Sequence, residues 1–146
     1  MQDIDRTAPP WLAPLDHPAD EGVTVRAPDL HTLFARAAWA MFWCVTDPGA
    51  VRPEQERDVW VEAADREALL VRWLAELNRV HQTEELLFSR FDVRELTDQR
   101  LRAKVAGEPI DTERHALYME IKGVTFHGLT LAKNEQGWTA SILFDV

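Results

Sequence analysis

The chain has 146 residues, enough for one compact domain with a full hydrophobic core and no need of disulfides. Hydrophobic residues make up 46% and charged residues 28%, which is the composition of a folded chain and not of a disordered or membrane-spanning one. A formal net charge of −9 opposes attraction to nucleic acid, which needs clustered Lys and Arg; any role with RNA would pass through a protein partner or a bound cation.

Residues 1–14 hold Pro9, Pro10 and Pro14 with little apolar pattern, and are expected to form a flexible tail ahead of a single domain over 15–146. Residues 22–27 alternate apolar and polar, as a short strand does. Asp29 then precedes Leu30, Leu33, Phe34, Ala37, Ala38, Met41, Phe42 and Val45 at three- and four-residue spacing, a capped amphipathic helix ended by Asp47, Pro48 and Gly49. Val59 and Val61 mark a strand. Asp65 opens a second helix whose apolar face is Leu69, Leu70, Trp73, Leu74, Leu77 and Val80.

The second half reads as strands. Residues 88–96 are apolar but irregular, while Leu101, Ala103 and Val105 alternate. Residues 118–132 form one or two strands broken near Gly123 or Gly128. Asn134 to Gly137 suits a hairpin turn, and Trp138, Ala140, Ile142 and Phe144 form one face of a last strand. The expected fold is α+β: one domain, two main helices packed on a mixed, mainly antiparallel sheet. Cys44 sits in an apolar run, as a small core residue does, and has no cysteine to pair with. No apolar run reaches the length of a membrane span, and the acidic N-terminus lacks the build of a signal peptide, so a cytoplasmic location is the default.

Three groups could carry chemistry. Asp16, His17, Asp20 and Glu21 fall within six residues, either as an exposed acidic loop or as oxygen ligands for a hard divalent cation. Asp145 and the terminal carboxylate of Val146 end the chain at the end of a strand, either solvated or compensated by a cation. Lys122 and His127 lie in a strand-like run, where a solvent-facing lysine and a half-buried histidine are the ordinary alternatives. The sequence has no CxxC pair, HExxH, Walker loop, dinucleotide fingerprint or nucleophile elbow, and so no complete catalytic set.

From Leu15 to Val146 the chain resembles the archease family. Residues 16–20 are similar to the family's Asp-His-Thr-Ala-Asp opening, with Pro18 in place of threonine. Residues 29–42 and 67–74 resemble its helices, Gly107, Glu108 and His115 fall in a similar stretch, and residues 121–127 resemble its Ile-Lys-Ala-Val-Thr-Tyr-His block, with Gly123 and Phe126 as departures. Residues 144–146 match its Asp-plus-aliphatic ending. The resemblance implies a non-enzymatic accessory protein of the RtcB-type RNA ligase in tRNA splicing or RNA repair, promoting guanylylation and repeated turnover of that partner. It also implies a divalent cation, seen as calcium in the family with magnesium or manganese as alternatives, on Asp20, Asp145 and Val146. Lys122 is implied in ligase activation, with His17 and His127 as neighbours of the site. The residues themselves leave two other classes open: a metal-dependent phosphohydrolase or nuclease on RNA ends, or a general chaperone-like binding module. No direct nucleic-acid binding and no membrane association are expected.

Overall fold

The computed structural model describes residues 6–15 and 21–146. Helix α1 (Leu30–Val45) starts where the Asp29 side chain accepts the Thr32 N–H at 2.8 Å. Helix α2 (Arg66–Glu84) starts in the same way, with Asp65 accepting from Ala68 at 2.8 Å. Each cap satisfies one of the amides that the first helical turn leaves without a partner. The six apolar positions expected on the face of α2 are all buried. The two helices are tied together by Trp73, fully buried, whose indole Nε1–H donates to the Phe34 carbonyl at 2.9 Å.

Among the described residues, seven strands surround the helices: β1 (Leu12–Pro14), β2 (Glu21–Ala27), β3 (Gln55–Glu62), β4 (Leu86–Leu96), β5 (Arg100–Pro109), β6 (Gly123–Asn134) and β7 (Gly137–Asp145). The α+β class read from the sequence is the class observed, but the strands divide between two sheets rather than sharing one. The order is β1-β2-β7-β6 in the first and β3-β5-β4 in the second, and every pairing is antiparallel. Both helices touch both sheets, α1 mainly through β4 and β2, α2 mainly through β6 and β3. One continuous core results, running from Val23 and Val25 through α1 and α2 to Leu101, Val105 and Phe88.

Three local findings adjust the expectations. Leu12–Pro14, expected to lie within the tail, form β1 on the edge of the first sheet. Leu12 is buried there and Trp11 meets Trp39 edge-on at 5.4 Å, while an edge strand tolerates Pro14 because one side of it needs no donor. The irregular pattern of residues 88–96 arises from two register shifts in β4, between Phe88 and Arg90 and between Val93 and Glu95, each of which reverses the in–out alternation. Finally, the run over 118–132 is a strand only from Gly123, and its pairing with β7 is interrupted between Thr125 and Thr130, around Gly128 at φ +74°. No helix among the described residues is long and apolar enough to cross a membrane.

Candidate functional site

Strand β7 lies between β2 and β6, and its Ala140, Ile142 and Phe144 are buried by the alternation of the strand. Asp145 is the next residue outward and is exposed, as is Val146. On one side of β7, Phe144 is the register partner of Glu21, the first residue of β2. On the other, Asp145 is the register partner of Gly123, and its carbonyl accepts the Lys122 N–H at 2.6 Å. Lys122 and Asp145, far apart in sequence, are therefore joined through their backbones, and the Lys122 side chain is exposed.

The residue before Lys122 is anchored in the opposite direction. Ile121 is fully buried, and its carbonyl accepts from two amides of α2, Asn78 Nδ2 at 2.8 Å and Gln82 Nε2 at 2.6 Å. The chain thus enters the site from a fixed point on a helix.

Of the other residues singled out, Asp16, His17 and Asp20 lie outside the described residues. His127 is exposed in the interruption of β6, where its N–H donates to Thr125 Oγ1 at 3.0 Å; the register does not pair it with β7. Among the described residues, no three His, Cys, Asp or Glu side chains converge as a metal centre would require.

A second cluster carries more electrostatic structure than the sequence suggested. Glu108, on β5, is buried and accepts the Arg52 N–H at 2.7 Å, the Arg114 guanidinium, and His115 Nε2 at 3.0 Å. The Arg114 guanidinium, followed by the Arg52 amide and His115, holds the Glu108 carboxyl down at about 2 against the opposing effect of burial. His115 Nδ1 accepts the Asp111 N–H at 2.9 Å, so the proton of the neutral ring is on Nε2 and points at Glu108. The cluster closes the turn after β5, with Glu108 and His115 buried beneath a part-exposed Arg114, a structural arrangement and not an open reactive pair. Its only trace in the sequence was the family-like stretch containing Glu108 and His115.

These features define a small α+β domain in which two helices sit between two antiparallel sheets and a lysine and an aspartate meet at the end of a central strand. The chain matches the model of the "Archease protein family (MTH1598/TM1083)" over residues 13–146. It is 35% identical over 140 residues to the protein archease of Methanopyrus kandleri, a match that covers 94% of this chain and 99% of that one. It is 34% identical to the protein archease of Pyrococcus abyssi, covering 90% and 95%. The solution structure of Methanobacterium thermoautotrophicum protein 1598 superposes with a TM-score of 0.80 at 36% identity, over 93% of this chain and 99% of that one. The chain belongs to the archease family.

Proposed function

We propose that this protein is a metal-binding accessory factor that activates an RtcB-type RNA ligase, promoting its guanylylation and repeated turnover, and that it catalyses no reaction of its own. The observation that carries this reading is the backbone bond from Lys122 to Asp145 at the end of β7, beside the pairing of Glu21 with Phe144. Glu21 and Phe144 are the immediate neighbours in sequence of Asp20 and Asp145. The proposed ligands, Asp20, Asp145 and the carboxylate of Val146 where that residue ends the chain, offer oxygen only. That donor set fits a hard cation, calcium first, with magnesium or manganese as alternatives. When bound, the cation would supply the positive charge that lets carboxylates from both ends of the chain lie together.

The chain's own part is to hold Asp145 at the end of β7 and to present Lys122, a mobile point charge suited to phosphate or carboxylate, next to it. The partner is a protein. A net charge of −9 gives the isolated chain no electrostatic attraction to RNA, so the ligase must bring the RNA. Action beside such a ligase would take place in the cytoplasm.

The test is RNA ligation with limiting ligase, with and without this protein, together with calorimetric titration of Ca²⁺ and Mn²⁺. Wild type stimulates ligation, and Lys122→Ala stimulates weakly while remaining folded. Asp20→Ala and Asp145→Ala lose cation affinity and stimulation together, as does a form extended beyond Val146. Equal cation affinity in all these forms would remove the metal site. Hydrolysis of a cyclic-phosphate RNA end by the protein alone would replace the accessory role with an enzymatic one.

A further inference from the structure

We infer that Asn78 and Gln82 of α2 are positioning residues for Lys122, gripping the peptide group that precedes it; the functional part of this inference rests on the reading above. The peptide linking Ile121 to Lys122 is held on both sides. Its carbonyl takes both α2 amides, and its N–H goes to the Asp145 carbonyl. Asn78 and Gln82 are four residues apart, which puts them on the same face of the helix. The lysine backbone is thereby referenced to α2 and to β7 at once, through a single rigid planar unit.

The choice of residue at 78 supports a role beyond packing. Leu77 and Val80 beside it are buried, and Asn78 is itself 5% exposed. Its Oδ1 has no protein partner among the described residues, so only the Nδ2 end of the amide is used. A leucine would fit an apolar helix face without exposing an acceptor to that demand. Asparagine therefore brings one thing leucine cannot, the bond to Ile121. Gln82 is exposed and contributes nothing to the core, yet it directs its amide to the same oxygen. Two donors on one carbonyl exceed what backbone satisfaction requires.

The experiment compares wild type with Asn78→Leu/Gln82→Met. Amide hydrogen exchange at Lys122 is expected to rise by about tenfold or more in the double variant, because the segment loses its anchor on α2, while the Ile142 amide in the middle of β7 keeps its rate. The thermal midpoint is expected to fall modestly, because the buried Ile121 carbonyl loses both of its side-chain donors. Ligase stimulation falls towards that of Lys122→Ala, and adding Lys122→Ala to the double variant takes it no lower than Lys122→Ala alone, since both changes act through one group. An unchanged Lys122 exchange rate overturns the inference, as does wild-type stimulation by the double variant, or a triple variant that stimulates less than Lys122→Ala alone. If wild type itself fails to stimulate the ligase, the accessory reading falls alone, and the exchange rates still decide whether α2 holds Lys122. Should the double variant not fold, Gln82→Met, at an exposed position, carries the same measurements.

Discussion

Glu108 Oε2 stands 3.0 Å from Nε2 of His115, and both side chains are buried. Because His115 Nδ1 already accepts the Asp111 amide, the contact is a hydrogen bond from a neutral ring to a carboxylate and needs no protonated histidine. The carboxylate is also bound by Arg114, so its charge is compensated in the fold.

That geometry sets an acid limit on stability. The folded carboxyl sits at about 2 and the ordinary value is 4.5. A depressed carboxyl stabilises the fold fully above the ordinary value, and the contribution is lost as the pH falls from there through about 2. Glu108→Gln is expected to cost on the order of 2 kcal/mol near neutral pH, the scale of hydrogen bonds to a charged group. It should also flatten the decline of the thermal midpoint between pH 4.5 and 2. Parallel declines in wild type and variant over that window would assign the acid sensitivity to other carboxylates.

The residue before Glu108 should be equally intolerant for a steric reason. A Cβ on Gly107 would fall 1.7 Å from the Leu87 carbonyl oxygen and 2.7 Å from the Phe88 Cα. Both are backbone atoms of the neighbouring strand, so no side chain can move aside. Gly107→Ala is expected to lose roughly 3 kcal/mol, the upper range for overpacking, read from urea denaturation. A loss well below 1 kcal/mol would mean that β4 and β5 separate easily here.

At Glu85 the expectation has the opposite sign. This residue ends α2 in the left-handed region at φ 55°, where a side chain is strained and glycine is the usual occupant. Glu85→Gly should stabilise the protein by about 1 kcal/mol. A lower thermal midpoint in the variant would show that the carboxylate supports the fold through a contact more valuable than the relief of strain.

Cys44 gives a readout of global opening. Burial pushes its thiol up to about 12, so the nucleophilic thiolate is scarce at any ordinary pH. Modification by a disulfide reagent at pH 8 should be slow and should accelerate with urea in step with unfolding. Rapid labelling of the native protein would mean that α1 opens locally.

What could be read from the sequence follows the range of the interactions involved. Asp29 and Asp65 act within three residues and the apolar faces of α1 and α2 repeat within four, so the start of each helix was legible to the residue. The division of strands between two sheets was not, because nothing in β2 encodes that its partner is β7. Leu12–Pro14 escaped because three residues, the last of them a proline, cannot display an alternation. Lys122 and Asp145 were singled out in the sequence and given roles by the family resemblance, but the bond that joins them runs between backbone atoms, which carry no residue-specific signal. The two amides converging on Ile121 were hidden for the same reason: their acceptor is a carbonyl that every residue possesses.

The place of β7 in the middle of its sheet governs the order in which the molecule can assemble. Thr24 and Ser141, joined by their hydroxyls across β2 and β7, are separated by 117 positions, and closing so long a loop comes before any reward from the contact. The helices and the hairpins of β4 with β5 and of β6 with β7 can form from local contacts alone. Until the hairpin of β6 and β7 docks, β2 and β7 each present an unsatisfied edge, the kind of surface on which chains pair wrongly with one another. The slowest step of folding and the moment of greatest exposure to aggregation should therefore coincide, and both end when the strand that carries Asp145 docks against β2.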